Sequence, residues 1–402
     1  MRISLSWLRE FIESPWDARE LGSRLTMSGF ELEFVEPAAP PFSGVVVAEI
    51  VTAARHPQAE KLQVCQVKAG GETLQIVCGA ANARTGLKTA LATVGAKLPG
   101  DKSITAAKLR GVESFGMLCS ARELGLAEAS DGIVELPPDA PVGQDLRAYM
   151  QLDDEVLELN VTPNRGDAMS ILGIAREVAA LQRKSMTAGS NPAPATIDDR
   201  APTKLGHAAG CPKLVSRVVR GIDNTRQSPL WLRERLRRAG VRPISPAVDV
   251  TQYVMLELGQ PMHAYDLARL EGGLNARLAT EGEKITLLDG KEIKLATDVL
   301  VIADDEGPVG MAGVMGGART MCGADSVDVL FEAAFFAPGA VAGRGRRHGL
   351  VTDAGQRFER GVDPAHQERA IERATQLLIE IAGGQAGPVH VAQAADQMPR
   401  RA

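Results

Sequence analysis

From Gly44 to Gly143 short apolar runs alternate with glycine breaks, and this punctuation constrains the fold more than any other feature of the chain. Val45-Val46-Val47-Ala48-Glu49-Ile50-Val51 is a strand-forming run, and breaks follow at Gly70-Gly71, Gly79, Gly86, Gly95 and Pro99-Gly100. Frequent reversals leave no room for long helices, so the segment is expected to be a small β-barrel closing near Gly143.

The flanks read differently. The first stretch reads helix, helix, strand: Ser14-Pro15 is a candidate helix start, Gly29 stops a helix over Leu21 to Met27, and Glu31 to Glu36 alternates as a strand. Pro37-Ala38-Ala39-Pro40-Pro41 is a stiff linker. After the barrel, Asp167 is the expected cap of a helix whose Ile171, Ile174, Ala175, Val178 and Leu181 fall at helical spacing. A Ser/Pro/Ala-rich linker runs from about Lys184 to Pro202. Beyond it the pattern is mixed. Ser228-Pro229 opens a helix that Gly240 stops, and Lys284 to Leu288, Val299 to Ala303 and Val327 to Phe331 read as strands. A last helix covers about Pro364 to Ala382. No internal repeat is present.

A chain of 402 residues holds two to four domains at roughly 100–200 residues each. Aromatic residues make up only 4%, so the cores must be built from Ala, Val, Leu and Ile. Five cysteines without a C-x-x-C pair point to reduced thiols rather than a disulfide framework or zinc site. The first ten residues lack a signal-peptide core, and no apolar run reaches a membrane span, so a cytoplasmic location is expected. The net charge is −5, yet nine basic and only three acidic residues lie between Arg55 and Arg110. That local excess is a candidate phosphate-facing surface, or else ordinary charge scatter on a solvated face.

Three segments of the barrel region carry the next signal: His56-Pro57-Gln58-Ala59-Glu60-Lys61-Leu62, Val77-Cys78-Gly79-Ala80-Ala81-Asn82, and Lys108 through Ser120. Singly each is a turn. Together, over about residues 44 to 150, they resemble the oligonucleotide-binding barrel of tRNA-binding proteins and synthetase appendages. Such barrels bind nucleic acid through basic groups and close backbone approach at glycine. Lys61, Lys108 and Arg110 are the candidate phosphate contacts.

Further along stand Val161-Thr162-Pro163-Asn164-Arg165, Glu257 through Asp266, Gly313-Val314-Met315-Gly316-Gly317 and Phe331-Glu332-Ala333-Ala334-Phe335-Phe336. Arg346 through Ala354 and Arg357-Phe358-Glu359-Arg360-Gly361-Val362-Asp363-Pro364 complete the set. With the barrel, these motifs resemble the beta subunit of bacterial phenylalanyl-tRNA synthetases across nearly the whole chain. The resemblance implies an α+β multidomain protein. Residues 1–39 plus 152–190 would form a small α/β domain, with an oligonucleotide-binding β-barrel over 40–151 inserted into it. A mixed α/β editing module would cover 200–395. Residues 396–402 would begin a truncated next domain, which makes the chain a fragment of the family's longer subunit.

It also implies partners and a site. The partners would be tRNA(Phe) and the synthetase alpha subunit in an alpha2-beta2 assembly, with no membrane. No cofactor is expected in this segment; ATP and Mg2+ would serve the assembled enzyme's ligation reaction. The module would hydrolyse tyrosine mischarged onto tRNA(Phe). His263 would be catalytic, orienting a water. Glu332, Gly316, Thr352, Ala354, Thr251 and Gln252 would form the pocket. Glu332 sits in an apolar run; if buried it needs a hydrogen-bond donor, and the phenol of a tyrosyl ligand would be one. Gly316 would admit substrate close to the backbone, and Thr352 and Ala354 would shape the pocket by their small size. No metal-ligand set is present.

Two positions depart from the family pattern: Gln252 stands where Asn is usual, and Ser245 where Asn or Asp is usual. Both are expected to flank the pocket, and the longer Gln252 would fill space meant for substrate. Arg357-Phe358-Glu359-Arg360 is similar to charged motifs of synthetase catalytic domains. Without a Gly-rich phosphate loop it reads as an ion-pair network supporting the fold. The competing functional reading is a non-catalytic scaffold for tRNA binding and subunit assembly, which deacylation of tyrosyl-tRNA would separate from an editing site.

Overall fold

The computed structural model describes residues 1–187 and 192–399. The fold is mixed α/β, with two compact units: Val35–Val156, and Met1–Phe34 together with Leu157–Ala402. Part of the expected linker (188–191) and part of the segment expected to begin a next domain (400–402) lie outside the described residues. Among the described residues, no helix is long and apolar enough to cross a membrane.

The Val35–Val156 unit is built on an antiparallel sheet. Its strand order is Gly116–Leu118, Lys88–Leu98, Ser43–His56, Ala59–Ala69, Glu72–Cys78. Register shifts between Ile50 and Thr52 and between Arg55 and His56 bend the long first strand. The two ends of the sheet meet: Phe115 N donates to Gln75 O (2.9 Å), and Val77 N donates to Ser114 Oγ (3.0 Å). The inside is filled by Ala48, Ile50, Cys65, Val67, Ile76, Leu91 and Leu118, the aliphatic core that the scarcity of aromatics requires.

Arg2–Ser4, Glu155–Asn160 and Glu31–Pro37 form a three-stranded sheet, the last two strands running through the boundaries between the units. The opening strand was not expected from the sequence. The helix Ala18–Met27 is capped by Asp17, whose Oδ1 accepts from Glu20 N (2.8 Å), rather than begun at Ser14-Pro15. The helix Ile171–Gln182 is capped by Ser170, not Asp167: Ser170 is extended and its Oγ accepts from Gly173 N (2.9 Å). A cap must directly precede the first helical residue. Asp167 instead lies in the 3-10 turn Gly166–Ala168, paired with Arg165 at 3.0 Å.

The rest of the unit formed by Met1–Phe34 and Leu157–Ala402 holds two facing sheets. One runs in the order Met262–Asp266, Val329–Phe335, Lys213–Arg220, Gln385–Ala386, with His390–Gln393 also paired to Lys213–Arg220. The other runs Thr203–Leu205, Leu274–Leu278, Leu300–Ala303, Pro308–Met311, Met315–Gly316. Side chains alternate along each strand. Leu214, Val218, Leu330 and Ala334 of the first sheet therefore meet Ala276, Leu300, Ile302 and Val309 of the second in one core. The first sheet's other face, with Val215, Phe331 and Ala333, is covered by the helices Pro246–Leu258 and Gln367–Ala382.

The N-terminal helix Leu5–Arg9 is fastened to this assembly by aromatic packing. Trp7 stacks on Tyr253 with ring centroids 4.8 Å apart, and Arg235 lies over Trp7 at 5.3 Å while donating to Tyr253 Oη (2.8 Å). Arg357 is buried, and its Nε donates to Met169 O (3.0 Å). Arg360 Nη1 donates to Val161 O (2.8 Å), and Glu359 accepts from Gly343 N (3.0 Å) and Arg346 (2.6 Å). These four charged side chains bind backbone and one another, as a fold-supporting network does.

Candidate functional site

The strand Val329–Phe335 is buried along its whole length and places Glu332 at its centre. The strand expected over Val327 to Phe331 therefore extends through Glu332 to Phe335. Directly across from Glu332 stand His263 on one neighbouring strand and Ser216 on the other. The three side chains share the face turned toward the second sheet. Tyr265, two residues after His263, shares it too.

Between the sheets opens a cavity of about 520 Å³, within the usual range of small-ligand sites. Thr251, Gln252, His263, Gly316, Glu332, Thr352 and Ala354 all line it. Thr251 and Gln252 come from the helix Pro246–Leu258, which the sequence reading did not identify although Ser245-Pro246 is a start signal. Thr352 comes from the start of the helix Asp353–Arg360. Ser245 does not line the cavity. It precedes the helix Pro246–Leu258, and its Oγ is buried with no partner among the described residues.

Several expected roles take a different physical form. Glu332 has a donor inside the protein: Tyr265 Oη donates to Glu332 Oε2 at 2.7 Å. A ligand is therefore not needed to satisfy that oxygen, and only Oε1 is left with no hydrogen bond among the described residues. Gly316 makes room for a protein ring, since a Cβ there would lie 2.3 Å from His263 Cε1. The Thr352 hydroxyl is engaged rather than merely small: Oγ1 accepts from Gly355 N (3.0 Å) and donates to Val314 O (2.9 Å). Tyr265 lay within a recognised motif, but nothing in the sequence marked it. Its position two residues after His263 was the available signal.

Burial sets the electrostatics. It pushes the Glu332 carboxyl up to about 7, with the Tyr265 hydrogen bond pulling the other way. It pushes His263 down to about 4, so the imidazole is neutral near pH 7. The buried Nε2 of His263 has no partner among the described residues, a deficit that costs about 1–3 kcal/mol unless a ligand or water fills it. Nucleophiles are scarce. Burial raises the thiols of Cys211 and Cys322, which keeps them protonated. The Thr251 hydroxyl donates to Val248 O (2.7 Å). No group of three or more metal-ligating side chains occurs among the described residues. The cavity thus presents a neutral imidazole whose Nε2 has no partner among the described residues and a carboxyl bonded through one oxygen.

The basic residues of the other unit are arranged differently. Ala107–Leu109 and Val112–Ser114 form a hairpin whose two-residue turn is Arg110-Gly111, both at positive φ (46° and 87°). His56 holds it: Gln58 N donates to Nδ1 (3.0 Å), so Nε2 carries the proton and donates to Leu109 O (3.1 Å). The turn leading to Lys61 is thus set against the hairpin carrying Lys108 and Arg110. All three cations are exposed and make no ion pair among the described residues. Arg84, by contrast, is spent on Glu135 at 2.8 Å.

Comparison with known proteins gives this geometry a family. Residues 45–145 match the family described as putative tRNA binding domain, and residues 210–383 match the B3/4 domain. The phenylalanine–tRNA ligase beta subunit of Methylococcus capsulatus is 54% identical over 406 residues, covering 100% of this chain and 51% of that protein. That of Pectobacterium atrosepticum is 52% identical over 404 residues, with the same coverage of each chain. A crystallised N-terminal fragment of the Pyrococcus horikoshii phenylalanyl-tRNA synthetase beta subunit is 15% identical, covering 58% of this chain and 63% of its own, at a TM-score of 0.32; that likeness is too slight to argue from. The chain spans about half the length of the curated relatives it matches, and it belongs to the family of phenylalanine–tRNA ligase beta subunits.

Proposed function

We propose that this chain binds tRNA(Phe) and hydrolyses tyrosine wrongly esterified to it, as part of a cytoplasmic phenylalanine–tRNA ligase in which an alpha subunit forms phenylalanyl-tRNA. The assembly would be alpha2-beta2, with ATP and Mg2+ used by the ligation reaction. In this reading the glycine-punctuated unit is an oligonucleotide-binding barrel meeting phosphates through Lys61, Lys108 and Arg110. The two-sheet region from about 200 to 395 is the editing module, and residues 1–39 plus 152–190 form its small α/β companion.

The observation that carries the reading is the pairing of Glu332 and His263 across adjacent strands in one cavity. Tyrosine exceeds phenylalanine by one hydroxyl, so a first site sized for phenylalanine rejects it incompletely and a second, hydrolytic site is needed. Glu332 Oε1 accepts the tyrosyl phenol. A phenylalanyl group in the same place leaves that oxygen desolvated and unpaired, costing about 1–3 kcal/mol, or roughly 5- to 150-fold. The neutral His263 orients the attacking water on the ester, and backbone groups near Gly316 stabilise the developing charge.

The test is deacylation of tyrosyl-tRNA(Phe) and phenylalanyl-tRNA(Phe) by the assembled enzyme. Faster loss of tyrosine is expected. Equal rates, or no hydrolysis above the spontaneous rate, would leave tRNA binding and assembly as the chain's whole role.

A further inference from the structure

The proposed function uses Glu332 and His263 but leaves Tyr265 unexplained. Its side chain is only 1% exposed. Its hydroxyl donates to Glu332 Oε2 (2.7 Å), and its ring meets His263 edge-on with centroids 4.4 Å apart. A Cβ at Gly310, in the facing sheet, would lie 3.9 Å from the phenol oxygen. A buried phenol thus touches both functional side chains of the cavity while itself lining it.

The groups around Glu332 show why this matters. His263 and Tyr265 face it from one neighbouring strand, and neither supplies a positive charge, because burial keeps the imidazole neutral. From the other strand comes Ser216, whose hydroxyl is shared with Thr203 Oγ1 (2.9 Å). The Cys211 thiol, near the start of that strand, is held protonated and feels the charge of Glu332. Asp304, beyond the facing strand Leu300–Ala303, acts on Tyr265 and is itself paired with Arg319 (2.7 Å). Asp289 and Asp353 line the cavity farther out. No cation pairs with Glu332 among the described residues. Among the described residues the phenol is the only donor to the carboxylate, and it binds one oxygen and leaves the other without a hydrogen bond.

We propose that Tyr265 is a positioning residue that sets the strictness of the site, fixing the Glu332 carboxylate through Oε2 so that Oε1 alone is offered to a single hydroxyl-bearing ligand. The inference rests on the editing reading above. It adds that the chain's own phenol mimics half of the recognition that a tyrosyl ligand completes. With both oxygens unsatisfied, the buried group would take up a proton more readily and would turn more freely in the cavity. With one satisfied, it stays ionised to lower pH and presents one acceptor in one direction.

The experiment compares wild type, Tyr265→Phe and Glu332→Gln in the assembled enzyme. The ratio of kcat/KM for tyrosyl-tRNA over phenylalanyl-tRNA is measured from about pH 6 to about pH 9, and the Glu332 carboxyl is titrated by NMR in carboxyl-13C-glutamate protein, with Glu332→Gln assigning the signal. Tyr265→Phe should move the carboxyl titration to higher pH and shift the acid limb of the selectivity ratio with it. Near pH 7 the ratio should fall by about tenfold, and it should recover in alkaline solution. Glu332→Gln should give a low ratio that does not change with pH. An unmoved titration, or a loss of ratio equal at every pH, overturns the proposal and makes Tyr265 a packing residue. Should wild type fail to prefer tyrosyl-tRNA, the editing reading fails, and the titration alone still decides whether Tyr265 controls the carboxylate.

Discussion

The hairpin at Arg110 and the cavity at Glu332 use charge in opposite ways. At the hairpin, Lys61, Lys108 and Arg110 are exposed and unpaired among the described residues, so their charge reaches outward and is fully open to salt. In the cavity, two ionisable groups lie among apolar side chains, and their surroundings shift them in opposite directions, the carboxyl up and the imidazole down. A solvated cation gives affinity for phosphate with little discrimination. A desolvated acceptor gives discrimination, because an unfilled partner cannot be replaced by water. One part of the chain would govern how tightly tRNA is held, and the other what is removed from it.

Substitutions that break this division can be ranked by expected effect. His263→Ala should slow tyrosyl-tRNA hydrolysis by about 100-fold or more, with the tyrosyl-to-phenylalanyl ratio nearly kept and no change in salt dependence. Deacylation kinetics at two ionic strengths check this; an equal loss at the level of tRNA binding would place His263 outside the chemistry.

Next comes a pH effect on stability. The raised Glu332 carboxyl means the folded state holds its proton more tightly than the unfolded state. Its contribution is therefore favourable at low pH and is lost as pH rises from the ordinary carboxylate range through about 7. The lowered His263 works the other way, with stability present above its ordinary range and lost as pH falls toward about 4. Above about pH 6.5 only the Glu332 slope remains. Glu332→Gln should thus gain stability relative to wild type between about pH 5 and pH 8, by on the order of 2 kcal/mol. Thermal unfolding across that range reads it, and parallel curves would show that Glu332 is not a perturbed carboxyl.

Gly316→Ala should cost about tenfold in hydrolysis, since its Cβ would lie 2.3 Å from His263 Cε1 and would push the ring out of place. A normal rate would mean that the ring has freedom the packing does not suggest. The smallest effect belongs to the other region. Replacing Lys61, Lys108 and Arg110 together by Ala should weaken tRNA binding several-fold at low salt and reduce the salt slope by about two. The hydrolysis ratio should stay unchanged. Binding isotherms at several salt concentrations test this, and an unaltered slope would move the phosphate contacts elsewhere.

How far the sequence revealed these features depends on how local each one is. The glycine breaks announced the curved antiparallel sheet because turn formation is decided within a few residues. All seven expected pocket residues line one cavity, yet what they touch was hidden. Asp167 looked like a cap because its type was right, whereas Ser170 held the position that directly precedes the helix. The expected strand Val327 to Phe331 stopped short of Glu332, because whether an acidic residue in an apolar run is exposed or buried depends on a partner that the local sequence does not show. That partner, Tyr265, lies 67 residues away. Gly316 was read as an opening for substrate, whereas the neighbour it admits is His263, brought there by the facing of two sheets.

The central claim is that a single free oxygen of a buried carboxylate tells tyrosine from phenylalanine. The most direct measurement is deacylation of tyrosyl-tRNA(Phe) and phenylalanyl-tRNA(Phe) by wild type and Glu332→Ala in the assembled enzyme. The substitution should slow loss of tyrosine and relatively speed loss of phenylalanine, so that the ratio falls by about 10- to 150-fold, equivalent to roughly 1.5–3 kcal/mol. Equal slowing of both substrates would contradict the account and make Glu332 a structural or generally catalytic group.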